Sequence, residues 1–259
     1  MALLVCGAAS GAESAPTWEA GAGIASLSLP GYRGSDHQSV TALPLPYLIY
    51  RGKRLKISRE GVKAKLFDLE NLSVSLSAAA TLPGHHGDDP ARHGMPKLLP
   101  TLEIGPSFDW RVTTADYRWC FCVPVRAVLA TNFNEHQNIG WLTNPQLRVE
   151  RDGSLGRWQV LSSVSAGPLW AEHRYHAYFY SVQSQYATTD RPTYTAAGGY
   201  SGTRASFFVG LHRDPWRIGL GVIGDWLAGS AMADSPLVKS RTSAIIGLGV
   251  SYRLWSSGR

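Results

Sequence analysis

Between Trp216 and Trp226 the chain alternates strictly. Trp216, Ile218, Leu220, Val222, Gly224 and Trp226 fall on one side, and Arg217, Gly219, Gly221, Ile223 and Asp225 on the other. The same period of two recurs in TLEIGPSFDWRVT, YRWCFCVPVRAVLA, WQVLSSVSAGPLW, RASFFVGLHR and SAIIGLGVSYRLW. Successive side chains of a strand point to opposite faces, so this period predicts β-strands with one apolar and one polar or small face. Each run covers 10–14 residues, about twice the usual 5–6 of a soluble strand.

The connections alternate as well. FDLEN, TTADY, RDGSLGR and RDP are short, whereas GHHGDDPARHGMPKL, TNFNEHQNIG, the segment 172–198 and AGSAMADSPLVKSR are longer. Short turns at one end and long loops at the other are the habit of outer-membrane barrels. Trp216 and Trp226 are ten positions apart on one face. At ~3.3 Å per residue that is roughly 33 Å, and a tilt of about 40° reduces it to roughly 25 Å, the height of the apolar band. Trp158 and Trp170 give a slightly larger span. Indole prefers the headgroup level, because its ring is apolar and its N–H needs a partner. These four tryptophans are therefore the expected membrane-interface aromatics.

The expected fold is all-β: one transmembrane antiparallel up-and-down barrel with short periplasmic turns and longer extracellular loops. The first third sets the strand number. Leu55 and Ile57 hold odd parity, Val62, Ala64 and Leu66 hold even parity, and the phase flips near Glu60–Gly61. A bulge there gives eleven strands and a turn gives twelve. An even number follows if both termini lie on the short-turn side. Twelve strands are preferred, and ten stay open.

The opposite faces then line the interior. They carry Glu103, Asp109, Arg111, Arg118, Arg126, Arg148, Glu150, Arg204, Arg217, Asp225 and Arg253. One reading is a plugged or very narrow interior laced with ion pairs. The other is a lumen that prefers anionic solutes.

Composition adds bounds. The 259 residues are 44% hydrophobic and 17% charged, against roughly 25% charged in an ordinary soluble domain. No apolar run reaches the ~20 residues of a transmembrane helix. The net charge is +6, but Lys and Arg are scattered and form no recognition pattern, so nucleic acid is not an expected partner. The start, MALLVCGAASGAESA, is apolar and then small. It reads as residues 1–15 of a secretory signal remnant, with the barrel domain at 16–259. A disordered apolar tail is the second reading, and a lipoprotein signal ending at Cys6 the third, although Val5 is bulky for it. Cys120 and Cys122 share one strand face, a placement that looks poor for pairing. They read as two small side chains without chemistry.

The segment LPGYRGSDHQSVTALPLPYLIYR resembles the N-terminal signature of the MipA/OmpV family of outer-membrane proteins. The matching residues are Pro30, Tyr32, Gly34, Ser35, Asp36, Pro44 and Pro46. HRYHAYFYSV resembles a second family segment through Arg174, Tyr175, Tyr178 and Phe179. It has His173, His176 and Tyr180 where Asp, Met and Gly are usual. ADSPLVK, with Asp234, Ser235 and Pro236, and the ending GLGVSYR also match, while the last aromatic is Trp255, followed by SSGR. The resemblance implies an outer-membrane barrel in a Gram-negative cell. It also implies a scaffold between a murein transglycosylase and a murein synthase, with outer-membrane lipid as surroundings.

No nucleophile–base–acid order and no phosphate loop stand out. The expected protein is not an enzyme and has no cofactor. The loop residues His85, His86, Asp88, Asp89 and His93 are metal-ligand types, but their Gly- and Pro-rich setting reads as a solvated loop. A narrow channel or uptake barrel with an Arg-rich lumen is the alternative function.

Overall fold

The structure is a computed structural model and describes residues 17–52, 54–58, 61–81, 89–132 and 134–257. The proposed signal remnant, Cys6, His85, His86 and Asp88 lie outside the described residues. The strands are β1 (Trp18–Pro30), β2 (Gln38–Arg51), β3 (Leu55–Ser58), β4 (Gly61–Asp68), β5 (Leu72–Thr81), β6 (Thr101–Thr113) and β7 (Arg118–Thr131). There follow β8 (His136–Thr143), β9 (Gln146–Leu155), β10 (Trp158–Ala171), β11 (Gly199–Arg213), β12 (Trp216–Trp226) and β13 (Thr242–Ser256). Among the described residues one α-helix, α1 (His173–Tyr180), lies between β10 and β11.

All neighbours pair antiparallel, and β13 returns to β1 from Glu19↔Ser256 to Ser28↔Ile246. The sheet therefore closes on itself, as a spanning sheet must to satisfy its edges in lipid, with its shortest seam between β2 and β3, paired among the described residues only at Tyr50 and Arg51. Thirteen segments make twelve wall positions, because β8 and β9 are halves of one strand. β8 pairs with Val125–Thr131 of β7, and β9 with Arg118–Cys122. The break falls at Asn144–Pro145, where proline has no N–H to offer. The neighbouring strand comes close at this point. A Cβ on Gly167 would lie 1.9 Å from the Pro145 carbonyl, and Asn144 Nδ2 donates to the Pro168 carbonyl at 2.8 Å.

The Glu60–Gly61 phase flip is a change of strand: β3 and β4 pair from Leu55↔Ala64 to Ser58↔Gly61. A second irregularity was not foreseen. The register slips between Lys65 and Phe67, so Leu66 and Phe67 are both exposed. One connection differs from its expected length. TNFNEHQNIG is not a loop throughout: β7 ends at Thr131 and β8 begins at His136.

Along each strand one parity is exposed and apolar, as at Leu220, Leu248, Phe207, Val164, Phe121, Phe108 and Ile104. The other parity is buried and polar or small, as at Ser73, Ser75, Ser77, Ser107, Ser163, Ser165, Ser243 and Ser251. A soluble protein hides its aliphatics and wets its serines; this wall does the reverse, as a lipid solvent requires. Trp216, Trp226 and Trp170 sit exposed on the outer face, and Trp158 is half-buried.

Candidate functional site

The inner face is a set of ion pairs on a serine and glycine background. Register places all eleven residues singled out above on it. Asp225 of β12 lies opposite Arg204 of β11, and the guanidinium grips it with two bonds of 2.9 Å. Arg33, from the β1–β2 loop, reaches the same carboxylate at 3.3 Å. Glu103 of β6 meets Arg126 of β7 at 3.1 Å, and Arg126 also donates to Ser77. Nearer the short turns, Arg118 bridges Glu150, at 3.4 Å, and Asp152. Arg111 reaches Asp68 at 3.7 Å and donates to Ser73. Asp109 takes Lys63 at 3.4 Å. Arg253 pairs with Asp214 of the β11–β12 turn, and Arg217 with Glu19.

Seven charged partners, Glu19, Arg33, Arg51, Lys63, Asp68, Asp152 and Asp214, were not singled out in the sequence. Glu19 was legible: it stands opposite Trp18 in parity, in a run of small residues. It is 1% exposed and shared by Arg51 and Arg217. Arg33 left no periodic signal, because it sits in a loop. Arg148 is different from the rest. It is 4% exposed, and among the described residues its guanidinium makes neither a hydrogen bond nor an ion pair; its Nε is buried without a partner.

Cys120 and Cys122 face inward between these charges, and they are disulfide-bonded. This corrects the reading of two inert side chains. Their Cα atoms are 5.8 Å apart, inside the range that a disulfide spans. Same-face neighbours on one strand are thus close enough. The Asp109 carboxylate and both sulfurs lie within 4.8 Å of one another. With the sulfurs bonded to each other, neither is a thiolate ligand in this state.

Above the wall, four long connections fold together into a cap. Tyr32 of the first, Leu98 of the second, Tyr180, Val182 and Ala196 of the third, and Leu227, Met232 and Leu237 of the fourth form one buried cluster. A second cluster joins Tyr175, Tyr178 and Phe179 on α1 to Val128, Ala130, Ile139 and Leu142 of the wall. Polar bonds stitch the loops to one another. Tyr32 donates to the Leu237 carbonyl at 2.6 Å, and Tyr180 to the Arg33 carbonyl at 3.0 Å. Ser235 donates to the Tyr180 carbonyl at 2.7 Å. Arg191 donates to the carbonyls of Ala91, His93 and Tyr186. Gly34 has φ +92°, a left-handed conformation suited to glycine, and its carbonyl accepts from Lys239 and Ser240.

Burial sets the protonation of the cap. It pushes the Tyr32 and Tyr180 hydroxyls well above the usual tyrosine range, so both stay neutral donors. It lowers His176, against the opposing hydrogen bond to Ala197. Nδ1 lies 2.6 Å from the Ala197 carbonyl and Nε2 2.9 Å from the Ser201 hydroxyl. The neutral ring with its proton on Nδ1 fits both, Nε2 accepting from Ser201.

The positions singled out by resemblance converge here, although they lie far apart in the chain. Tyr32, Gly34, Ser35 and Ser235 are buried, and Pro30 closes β1 beneath them. Tyr175 and Pro236 are half-buried, while Asp36, Arg174 and Asp234 face solvent. Pro44 and Pro46 stand apart, on the outer face of β2. Of the loop metal-ligand candidates, Asp89 is committed elsewhere. It accepts from Ser35 at 2.6 Å and from the Ala91 N–H at 3.0 Å.

Solved structures matched in shape include an outer membrane protein and a porin. A bacterial polysaccharide outer membrane secretin covers 92% of this chain and 99% of its own, at 8% identity and TM-score 0.44. The NanC porin covers 92% and 99% at 9% identity and TM-score 0.38. LpxR from Salmonella typhimurium covers 89% and 99% at 6% identity and TM-score 0.35. No curated protein matches the chain in sequence. The family model described as "MltA-interacting protein MipA" matches residues 20–254. That is nearly the whole chain, from within β1 to within β13: this β-barrel belongs to the MipA family.

Proposed function

We propose that the protein is a non-catalytic scaffold of the Gram-negative outer membrane that gathers murein-synthesising enzymes on its periplasmic side. The observation that carries this reading is the cap. Four loops share a buried core over one mouth of the barrel, and α1 is packed onto the wall. Such a core suits a plug, because opening it would expose Tyr180, Leu227, Met232 and Leu237 to water. The paired charges of the inner wall suit a packed interior better than a conduit. The family is described by its interaction with MltA, which supports a murein transglycosylase as one partner. A murein synthase is the second.

The test uses the full barrel in detergent, folded by the criterion of heat-modifiable gel mobility. Immobilised barrel is expected to retain a purified murein transglycosylase, and planar bilayers holding it are expected to stay electrically silent. Discrete conductance without retention overturns the scaffold and favours the anion-preferring channel, for which the unpaired Arg148 is the supporting observation.

A further inference from the structure

The Cys120–Cys122 disulfide sits in a setting that a merely structural cross-link does not need. A bond between positions two apart on one strand closes almost no loop, so it restrains the unfolded chain very little. It also joins nothing that β7 does not already join. Its surroundings, in contrast, are specific. Across the ladders Cys120 lies opposite Arg111 on β6 and Arg148 on β9, and Cys122 lies opposite Asp109. Asp109 holds Lys63 at 3.4 Å and accepts from Ser107 at 2.9 Å. Arg111 has partners of its own, but Arg148 has none among the described residues. A guanidinium 4% exposed that makes no ion pair among the described residues is costly. It is matched once the neighbouring sulfur carries a negative charge.

We propose that Cys120–Cys122 is a thiol–disulfide exchange site in the barrel lumen, with Arg148 as the cation that receives the Cys120 thiolate. Access is from the short-turn mouth. Cys120 is two residues into β7, about 7 Å along the strand, and it is half-buried where Cys122 is 3% exposed. The reductant is a thiol, either a small molecule or the dithiol of a protein. Its thiolate attacks the more accessible Cys120 sulfur, the S–S bond breaks, and Cys122 leaves as a thiolate opposite Asp109, whose charge Lys63 offsets. A second thiolate attacks the incoming sulfur of the mixed disulfide. The external disulfide departs, and Cys120 is left as a thiolate opposite Arg148. Two electrons enter the pair, and two external thiols are oxidised.

The full barrel is folded in detergent in a Cys6→Ser background and incubated with reduced glutathione. New thiols are counted by the gel shift of a polyethylene-glycol maleimide. Both thiols are expected to appear together while heat-modifiable mobility is kept. In Arg148→Gln the rate is expected to fall on the order of tenfold, with Arg148→Lys recovering most of it. In Cys122→Ser, oxidised glutathione is expected to form a mixed disulfide at Cys120, seen by intact mass. Thiols that appear only after the barrel is unfolded overturn the proposal. So does a rate in folded Arg148→Gln equal to that of the unmodified protein, because a structural cross-link has no use for the charge. If Arg148→Gln does not fold, the decision rests on Cys122→Ser, where absence of the mixed disulfide sinks the idea.

Discussion

Asp225 and Glu19 are both inner-face carboxylates, 2% and 1% exposed, and each is shared by two arginines. They sit at opposite ends of the wall and hold different things. Glu19 joins Arg51 of β2 to Arg217 of β12, so it ties strand to strand across β1 and β13 near the short turns. Asp225 joins Arg204 of the wall to Arg33 of a loop, and Arg33 also donates to Ser201. It ties the cap to the barrel. Above Asp225 the molecule is built like a soluble protein, with a buried apolar core and stitched loops. Around Glu19 there is wall alone, and its apolar surface faces outward. The hydrophobic effect therefore works inward at one end and is replaced by lipid contact at the other.

The largest expected effect separates the two directly. Tyr180 is 1% exposed at the centre of the cap. Tyr180→Ala is expected to cost the cap about 3–5 kcal/mol, as large aromatic truncations do. Trypsin should then cut at Arg92, Arg191 or Lys239, while the barrel keeps its heat-modifiable mobility. Loss of the barrel together with the cap would show that the two are one cooperative unit. Next come the carboxylates. Asp225→Asn and Glu19→Gln each leave two arginines short of a counter-charge, for about 3 kcal/mol. The first should speed loop proteolysis, and the second should lower the temperature at which the barrel itself unfolds. Equal effects on both readouts would break the comparison.

Ser35→Ala removes the bonds to Asp89 and to the His37 N–H, for about 1 kcal/mol per bond, and should loosen the first loop alone. The last effect is one of pH. Burial holds His176 below its ordinary value of 6.5. The folded cap thus binds fewer protons than the unfolded chain in that window. Its contribution is complete above pH 6.5 and is lost as the pH falls toward the lowered value. Loop proteolysis should rise as the pH drops below 6.5, and His176→Gln should flatten that dependence.

The wall was legible because its rule is local. Trp216 to Trp226 declares its two faces within eleven residues, and Arg217 and Asp225 are assigned inward by parity alone. The β3–β4 turn was legible as a break in that parity. The cap was not, because its contacts join positions about two hundred residues apart, such as Tyr32 with Leu237, in segments without a period. Ion-pair partners were hidden for the same reason: parity says which way Arg204 points, but not that Arg33 arrives from a loop to share its carboxylate. The disulfide was not legible because a shared strand face gives no sign of a bond, whereas the Cα atoms of Cys120 and Cys122 stand 5.8 Å apart, within reach of one.

One feature of the wall bears on its mechanics. β2 is zipped to β1 from Trp18↔Tyr50 to Pro30↔Gln38, but among the described residues it meets β3 only at Tyr50 and Arg51. A hoop flexes where its joint is shortest, so radial breathing of the barrel concentrates beside β2, and amide exchange should be fastest there. Pro44 and Pro46 stand on that strand without an N–H to lend. The compliant seam is thereby a poor template for a stray strand from another chain.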